Sequence, residues 1–204
     1  MRRAASVTLV GVVFALSGHS MVCAAEAAVG APASNFTLTD TNGQAHVLSG
    51  YKGKFVVLEW FNPDCPFSRK HYQSGNMQRL QYQYTQRGVV WLSIDSSAPG
   101  KQGSLNPERM NQFISENYVG STAVLLDPNG EVGRLYGAKT TPHMFVINPD
   151  GVLIYAGAID DKPSANPADV AQATNYVRQA LEEAMAGKPV SVPETRSYGC
   201  SVKY

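Results

Sequence analysis

The residue whose position most clearly suggests chemistry is Cys65, which stands between an apolar run and a helical pattern. The run, residues 55–61, predicts a strand buried on both faces, and Pro66 suits the first position of a helix because its missing N–H needs no partner there. Cys65 is therefore expected to cap this helix, where free N–H groups and the helix dipole favour a thiolate. The sequence thus predicts a nucleophilic, redox-active sulfur on an exposed turn.

Positive charge follows Cys65 within two turns, at Arg69, Lys70 and His71. We expect Arg69 and Lys70 to lie on an exposed helix face, with a secondary electrostatic effect on Cys65. His71 falls on a different face of the helix and is predicted to be a solvated surface histidine.

A second cysteine, Cys200, lies in the segment 188–204, which has no periodicity and is predicted to be a tail lying on the domain. A mobile tail can return a resolving thiol to the active face. Spacing does not fix connectivity, so a Cys65–Cys200 disulfide, a stray tail thiol and an intermolecular bridge all stay open.

Residues 1–25 have the pattern of a secretory signal peptide. Arg2 and Arg3 precede an apolar stretch over residues 7–16, and small residues around Cys23 offer a cleavage site. The stretch is too short to span a bilayer, so a retained membrane anchor is the less favoured alternative. We expect a periplasmic or secreted chain with no stable membrane anchor, in a compartment where disulfides persist.

Composition excludes some classes of partner. The chain has 17 basic and 16 acidic residues, which gives no electrostatic basis for binding nucleic acid or an acidic membrane surface. No motif indicates a cofactor. The length left after the leader suits one domain, predicted over residues 30–187.

Periodicity predicts alternating strands and helices. Asn42-Gly43 indicates an N-terminal hairpin, and a helix is predicted over residues 66–86 with a kink at Gly75. A short helix follows Asn106-Pro107, and a final helix is predicted to begin at Asn166-Pro167. Further strands are predicted at 89–94, 122–126, 144–147 and 152–155. These elements describe a mixed sheet covered by helices on both faces.

A buried strand, a cysteine opening the next helix, Thr141-Pro142 before a later strand and the hairpin at residues 148–151 together resemble the thioredoxin fold. The added hairpin and the length are similar to the alkyl hydroperoxide reductase and thiol-specific antioxidant (AhpC/TSA) branch, the peroxiredoxin-like redoxins, over residues 30–185. The resemblance implies an α/β fold: a thioredoxin-like three-layer αβα sandwich with a mixed central sheet and an added N-terminal β-hairpin.

The resemblance also implies roles for particular residues. Cys65 matches the attacking cysteine of thioredoxins, and Pro142 matches a cis proline that presents the backbone of Thr141 to a substrate strand. Glu59 matches a buried acid that could accept a proton from a resolving thiol; the alternative is a strand-end carboxylate paired with a lysine.

Two departures from the family patterns matter. Ser68 replaces the second cysteine of the thioredoxin motif, so a partner for Cys65 must come from elsewhere. Leu58 and Asn62 occupy the places of the proline and the hydroxyl residue of the peroxiredoxin signature, which argues against peroxide reduction by that mechanism.

The leading interpretation is an exported thiol-disulfide oxidoreductase. Cys65 would attack a protein or small-molecule disulfide, Cys200 would resolve the mixed disulfide, and an external thiol reductant would restore the cycle. One alternative is an antioxidant thiol peroxidase with the same cysteines. Others are a copper-binding thioredoxin-like chaperone with Cys65, Cys200 and His143 as ligands, and a redox-inert partner-binding domain.

Overall fold

A computed structural model describes residues 27–204, so the predicted signal peptide lies outside the described residues. The strands are β1 (Thr37–Asp40), β2 (Ala45–Val47), β3 (Val56–Trp60), β4 (Val90–Asp95), β5 (Ala123–Leu126), β6 (Thr140–Thr141), β7 (His143–Ile147), β8 (Leu153–Gly157) and β9 (Cys200–Ser201). The α-helices are α1 (Pro66–Gln73), α2 (Asn76–Thr85), α3 (Pro107–Glu116), α4 (Glu131–Leu135) and α5 (Tyr176–Met185), and short 3₁₀ helices cover Leu48–Tyr51 and Pro167–Gln172.

Seven strands form one mixed sheet in the order β2-β1-β5-β4-β3-β7-β8. The central pairs β3–β4 and β4–β5 are parallel, whereas β7, β8, β1 and β2 join their neighbours in antiparallel pairs. Every residue of β3, β4 and β7 is buried, as expected where helices or loops cover both faces of a sheet.

Alternate residues of the central strands point to opposite faces of the sheet and pack into two separate hydrophobic cores. Val57 and Trp91 pack on one face with residues of α2, α3 and α5, whereas Leu58 and Leu92 pack on the other with residues of α4 and the N-terminal segment. This division follows from the two-residue period of a strand. The predicted three-layer α/β fold with a mixed central sheet is confirmed.

The N-terminal hairpin is part of the main sheet. β1 pairs with β2, with Leu38 opposite His46, and its other edge pairs antiparallel with β5. The hairpin therefore extends the main sheet by two strands.

Two helix predictions were wrong in their limits. The helix predicted over 66–86 is two helices, divided at the predicted kink, because Gly75 adopts the left-handed conformation at φ 68° between them. Asn166-Pro167 opens only a 3₁₀ helix, and α5 begins after Asn175, whose side-chain oxygen accepts a hydrogen bond from the N–H of Arg178 at 2.8 Å.

Within residues 27–204, none of the helices combines the length and the apolar character needed to cross a bilayer.

Candidate active site

Cys65 is the N-cap residue of α1, with extended backbone angles that let the chain leave β3 and enter the helix at Pro66. Its side chain is fully buried, although Asp64 and Pro66 on either side are exposed. The prediction of a sulfur on an exposed turn was wrong for the sulfur itself: the cap geometry is as predicted, but the tail, residues 188–204, covers Cys65 and leaves its two neighbours exposed.

The tail reaches Cys65 through a small two-stranded sheet. β9 pairs antiparallel with β6, which sets Cys200 opposite Thr141. The sulfur of Cys200 then lies 2.7 Å from that of Cys65, and both residues are free thiols here. A disulfide bond is about 2.05 Å long, so a small displacement separates this arrangement from a covalent one.

The close approach of β9 depends on Gly199. Its φ is 131°, and a β-carbon there would lie 2.1 Å from the carbonyl oxygen of Thr141, well inside van der Waals contact. A residue without a side chain is therefore needed immediately before Cys200.

Thr141 and Pro142 are joined by a cis peptide bond. The carbonyl oxygen of Thr141 accepts a hydrogen bond from the thiol of Cys65 at 3.1 Å, while the side-chain oxygen of Thr141 is buried with no hydrogen-bond partner in the described part of the chain. The structure thus gathers the two cysteines and the Thr141-Pro142 backbone, residues that the sequence separates widely.

The two thiols have opposite tendencies to ionise. Burial raises the pKa of Cys65, but hydrogen bonds from the Cys200 thiol and from the backbone N–H of Ser68 outweigh burial and leave the pKa below its usual value. Burial, together with the neighbouring sulfur of Cys65, raises the pKa of Cys200 to about 11. Of the two thiols, Cys65 is therefore the one that ionises at the lower pH.

Glu59 lies in the middle of the sheet and is fully buried. Its carboxyl accepts four hydrogen bonds, from Tyr72 Oη at 2.8 Å, Gln81 Nε2 at 3.0 Å, Trp91 Nε1 at 2.8 Å and Ser93 Oγ at 2.9 Å. Burial raises its pKa, and these hydrogen bonds oppose the rise. None of the four donors is a lysine or a cysteine, and the proton-relay role of Glu59 stays a prediction.

Two predictions for the helix after Cys65 were wrong. Arg69 is exposed and pairs with Asp64 at 3.0 Å, as an exposed face would suggest, but Lys70 and His71 are fully buried. They face Asp160 and the tail residue Tyr198, which no local helical pattern could reveal.

The ligand set of the copper alternative is not assembled. The Nδ1 atom of His143 accepts a hydrogen bond from the N–H of Lys139 at 3.3 Å, and burial lowers the pKa of His143 to about 4. No group of three or more His, Cys, Asp or Glu side chains in the part of the chain that the structure describes is placed to hold a metal ion.

Asp95, a buried carboxyl at the end of β4, was not among the predicted site residues. Burial raises its pKa to about 7, the charges of Asp127 and Asp64 add to the rise, and hydrogen bonds from Ser97 oppose it. The only signal in the sequence was an acidic residue closing an apolar strand.

We expect Asp95→Asn to remove a pH dependence of stability. The folded pKa lies above the unfolded value of 3.8, so the contribution of this carboxyl to stability is greatest below about pH 4 and declines as the pH rises to about 7. The amide cannot ionise, so the variant should gain about 2–4 kcal/mol over wild type at pH 8. Urea unfolding between pH 4 and 8 measures this. Asp150→Asn, at an exposed position, is the control, and equal pH profiles for Asp95→Asn and wild type would contradict the prediction.

The fold and the paired thiols define a thioredoxin-like protein that carries thiol-disulfide chemistry. The family model for the AhpC/TSA family matches residues 29–156, and the chain belongs to this family. It is a thiol-dependent oxidoreductase.

Curated relatives agree with this class. The chain is similar to "Thiol-disulfide oxidoreductase ResA" of Bacillus thuringiensis subsp. konkukian (strain 97-27), with 28% identity over 126 residues that cover 62% of this chain and 67% of the relative. The protein of the same name from Geobacillus thermodenitrificans (strain NG80-2) is 30% identical over 125 residues, covering 61% and 66%.

Solved structures share the fold over most of the chain. An uncharacterized conserved protein from Geobacillus kaustophilus superposes with a TM-score of 0.74 at 26% identity, covering 87% of this chain and 92% of its own. A putative thiol:disulfide interchange protein DsbE from Chlorobium tepidum gives a TM-score of 0.51 at 24% identity, covering 64% and 85%, which supports the fold alone.

Proposed function

We propose that the chain is an exported thiol-disulfide oxidoreductase in which Cys65 is the nucleophile and Cys200 the resolving cysteine. The observation that carries this proposal is the 2.7 Å separation of the two free sulfurs at the N-terminus of α1. Since Ser68 cannot form a disulfide, Cys200 supplies the second thiol that the helix turn lacks.

The reaction needs two exchange steps. In the first, the Cys65 thiolate attacks one sulfur of a substrate disulfide, forms a mixed disulfide and releases the other sulfur as a thiolate. In the second, Cys200 loses its proton and attacks Cys65; the Cys65–Cys200 bond forms, and the bond from Cys65 to the substrate breaks. The departing substrate thiolate takes a proton, so the substrate is reduced by two electrons and the protein is oxidised.

The pKa order of the two thiols suits this sequence of steps. The lowered pKa of Cys65 favours it as the first attacking group, whereas the raised pKa of Cys200 keeps it protonated until a mixed disulfide has formed. An external dithiol or two monothiols would then reduce the Cys65–Cys200 disulfide by the same exchange chemistry.

The substrate must displace the tail. Cys65 is fully buried beneath β9, and the backbone of Thr141 that would receive a substrate strand is paired with Cys200. Addition of an extended strand to this edge suits a protein or peptide disulfide, with small disulfides as a second class.

Export rests on the sequence of residues 1–25, whose basic start, short apolar stretch and small residues are typical of a cleaved leader. Expression of the full chain in a bacterium with a periplasm tests it. We expect the intact mass of periplasmic protein to lack this segment; full-length protein confined to the cytoplasm would contradict export.

Trapping of the mixed disulfide tests the catalytic roles. We expect Cys200→Ser to accumulate a stable adduct at Cys65 with a disulfide-bonded peptide, because the resolving thiol is absent, while Cys65→Ser forms none. Unreduced digestion of oxidised wild type should give a peptide pair that joins Cys65 to Cys200. Absence of both products would contradict the proposal. Rapid consumption of hydrogen peroxide with no exchange of peptide disulfides would instead favour the thiol peroxidase.

A further inference from the structure

A buried polar cluster that the exchange chemistry does not use lies beside the two cysteines. Its members are Lys70 and His71 on α1, Asp160 after β8, and Tyr198 in the tail; we call these four residues the tail latch. Lys70 and His71 are 0% exposed and Asp160 is 2% exposed, whereas Tyr198 is half-buried, so three polar side chains are withdrawn from the protein surface here.

Tyr198 is the member that links the cluster to the tail. Its hydroxyl donates a hydrogen bond to Asp160 Oδ1 at 2.5 Å and lies 3.4 Å from Lys70 Nζ and 3.3 Å from His71 Nε2. Its ring meets Phe67 edge-on, with centroids 6.0 Å apart. Tyr198 therefore fastens the tail to α1, the helix that Cys65 caps.

The position of Tyr198 restricts that of Cys200. Only Gly199 separates the two residues, and two residues of extended chain span about 7 Å. Gly199 is itself held against the carbonyl oxygen of Thr141. With Tyr198 fixed on one side and the β6–β9 pairing on the other, the Cys200 sulfur has little freedom to leave Cys65.

The hydrogen bonding of the cluster is incomplete without the tail. Asp160 Oδ2 lies 3.5 Å from Lys70 Nζ but accepts no hydrogen bond from residues 27–204, and Oδ1 accepts from Tyr198 and from the N–H of Lys162. A buried carboxylate that loses a hydrogen bond pays a desolvation cost, so the enclosed Asp160 favours the docked tail. Lys70 is held in turn by the carbonyl oxygen of Lys162 at 2.7 Å.

We propose that the tail latch positions Cys200 over Cys65, with Tyr198 as the positioning residue for the resolving step. This inference rests on the proposed function, because it assigns the latch to the attack of Cys200 on the mixed disulfide. Entry of a substrate opens the latch, and its reclosure brings Cys200 back to the Cys65 sulfur.

The first test is the equilibrium between the Cys65–Cys200 disulfide and glutathione. Tyr198→Phe keeps the ring against Phe67 and removes the hydroxyl. We expect the effective concentration of Cys200 at Cys65 to fall about tenfold. Tyr136→Phe is the matched control, since its hydroxyl donates to the carbonyl oxygen of Ser34 at 2.7 Å, outside the latch. An unchanged equilibrium in Tyr198→Phe, or an equal fall in the control, would overturn the inference.

A second test does not depend on disulfide formation. In a Cys200→Ser background, iodoacetamide reaches Cys65 only when the tail opens. The alkylation rate of Cys65 therefore measures how often the tail latch opens. We expect Tyr198→Phe to raise this rate about tenfold and Tyr136→Phe to leave it unchanged. If wild type forms no Cys65–Cys200 disulfide, the proposed function fails, whereas an unaltered alkylation rate in Tyr198→Phe rejects the latch itself.

Discussion

A Cys65→Ser variant is expected to lose disulfide-exchange activity by about 10³-fold or more, because removal of a nucleophile eliminates the covalent step. A serine hydroxyl does not ionise near neutral pH, even at a helix N-terminus with neighbouring N–H groups. The measurement is reduction of insulin disulfides in the presence of an external thiol. The fold should persist, since the substitution exchanges one small side chain for another.

Cys200→Ser is the matched control for this loss. It keeps Cys65 and the first exchange step, so it should release one equivalent of substrate thiol and then stop. If Cys65→Ser kept more than a tenth of the wild-type rate, or if both variants gave the same single equivalent, Cys65 would not be the nucleophile.

Gly199→Ala is expected to slow formation of the Cys65–Cys200 disulfide by about 10²-fold. The added β-carbon would lie 2.1 Å from the carbonyl oxygen of Thr141, and a φ of 131° is strained for any residue other than glycine. Since backbone atoms cannot yield as a flexible side chain would, β9 must leave β6. The rate is measured by quenched alkylation and mass spectrometry after addition of oxidised glutathione.

Gly88→Ala is the control for Gly199→Ala, because it introduces backbone strain without a steric clash. Gly88 has a φ of 84°, and a β-carbon there meets nothing within 4 Å. This control should lose some stability and keep the wild-type rate of disulfide formation. A normal rate in Gly199→Ala would show that the tail reaches Cys65 without the observed strand pairing.

Much of the architecture was predictable because its causes are local. The apolar runs gave β3, β4 and β7, and Asn106-Pro107 gave the start of α3, where the side-chain oxygen of Asn106 accepts a hydrogen bond from the N–H of Arg109. The helix cap at Cys65 was predictable for the same reason, since it depends on a strand, a turn and a proline that are adjacent in the chain.

The start of the final helix was not predictable from its cap signals. Asn166 and Asn175 both cap a helical segment, but Ala173 between them is extended. The N–H of Tyr176 donates to the carbonyl oxygen of Ile159 at 3.0 Å, so a contact with the segment after β8 fixes where α5 begins. The two Asn caps are equivalent as local signals, and a contact with a distant segment determines which of them begins α5.

The candidate site likewise has some features that the sequence determined and others that depend on the tertiary structure. By itself, the sequence determined that Cys65 opens a helix after a buried strand, because backbone conformation and the helix dipole act over a few residues. Only the tertiary structure decided that Cys65 is covered, that Lys70 and His71 face inward, and that Cys200 lies against Cys65. These outcomes depend on a tail that docks across more than 100 residues of chain, and an aperiodic segment carries no local pattern that encodes its docking site.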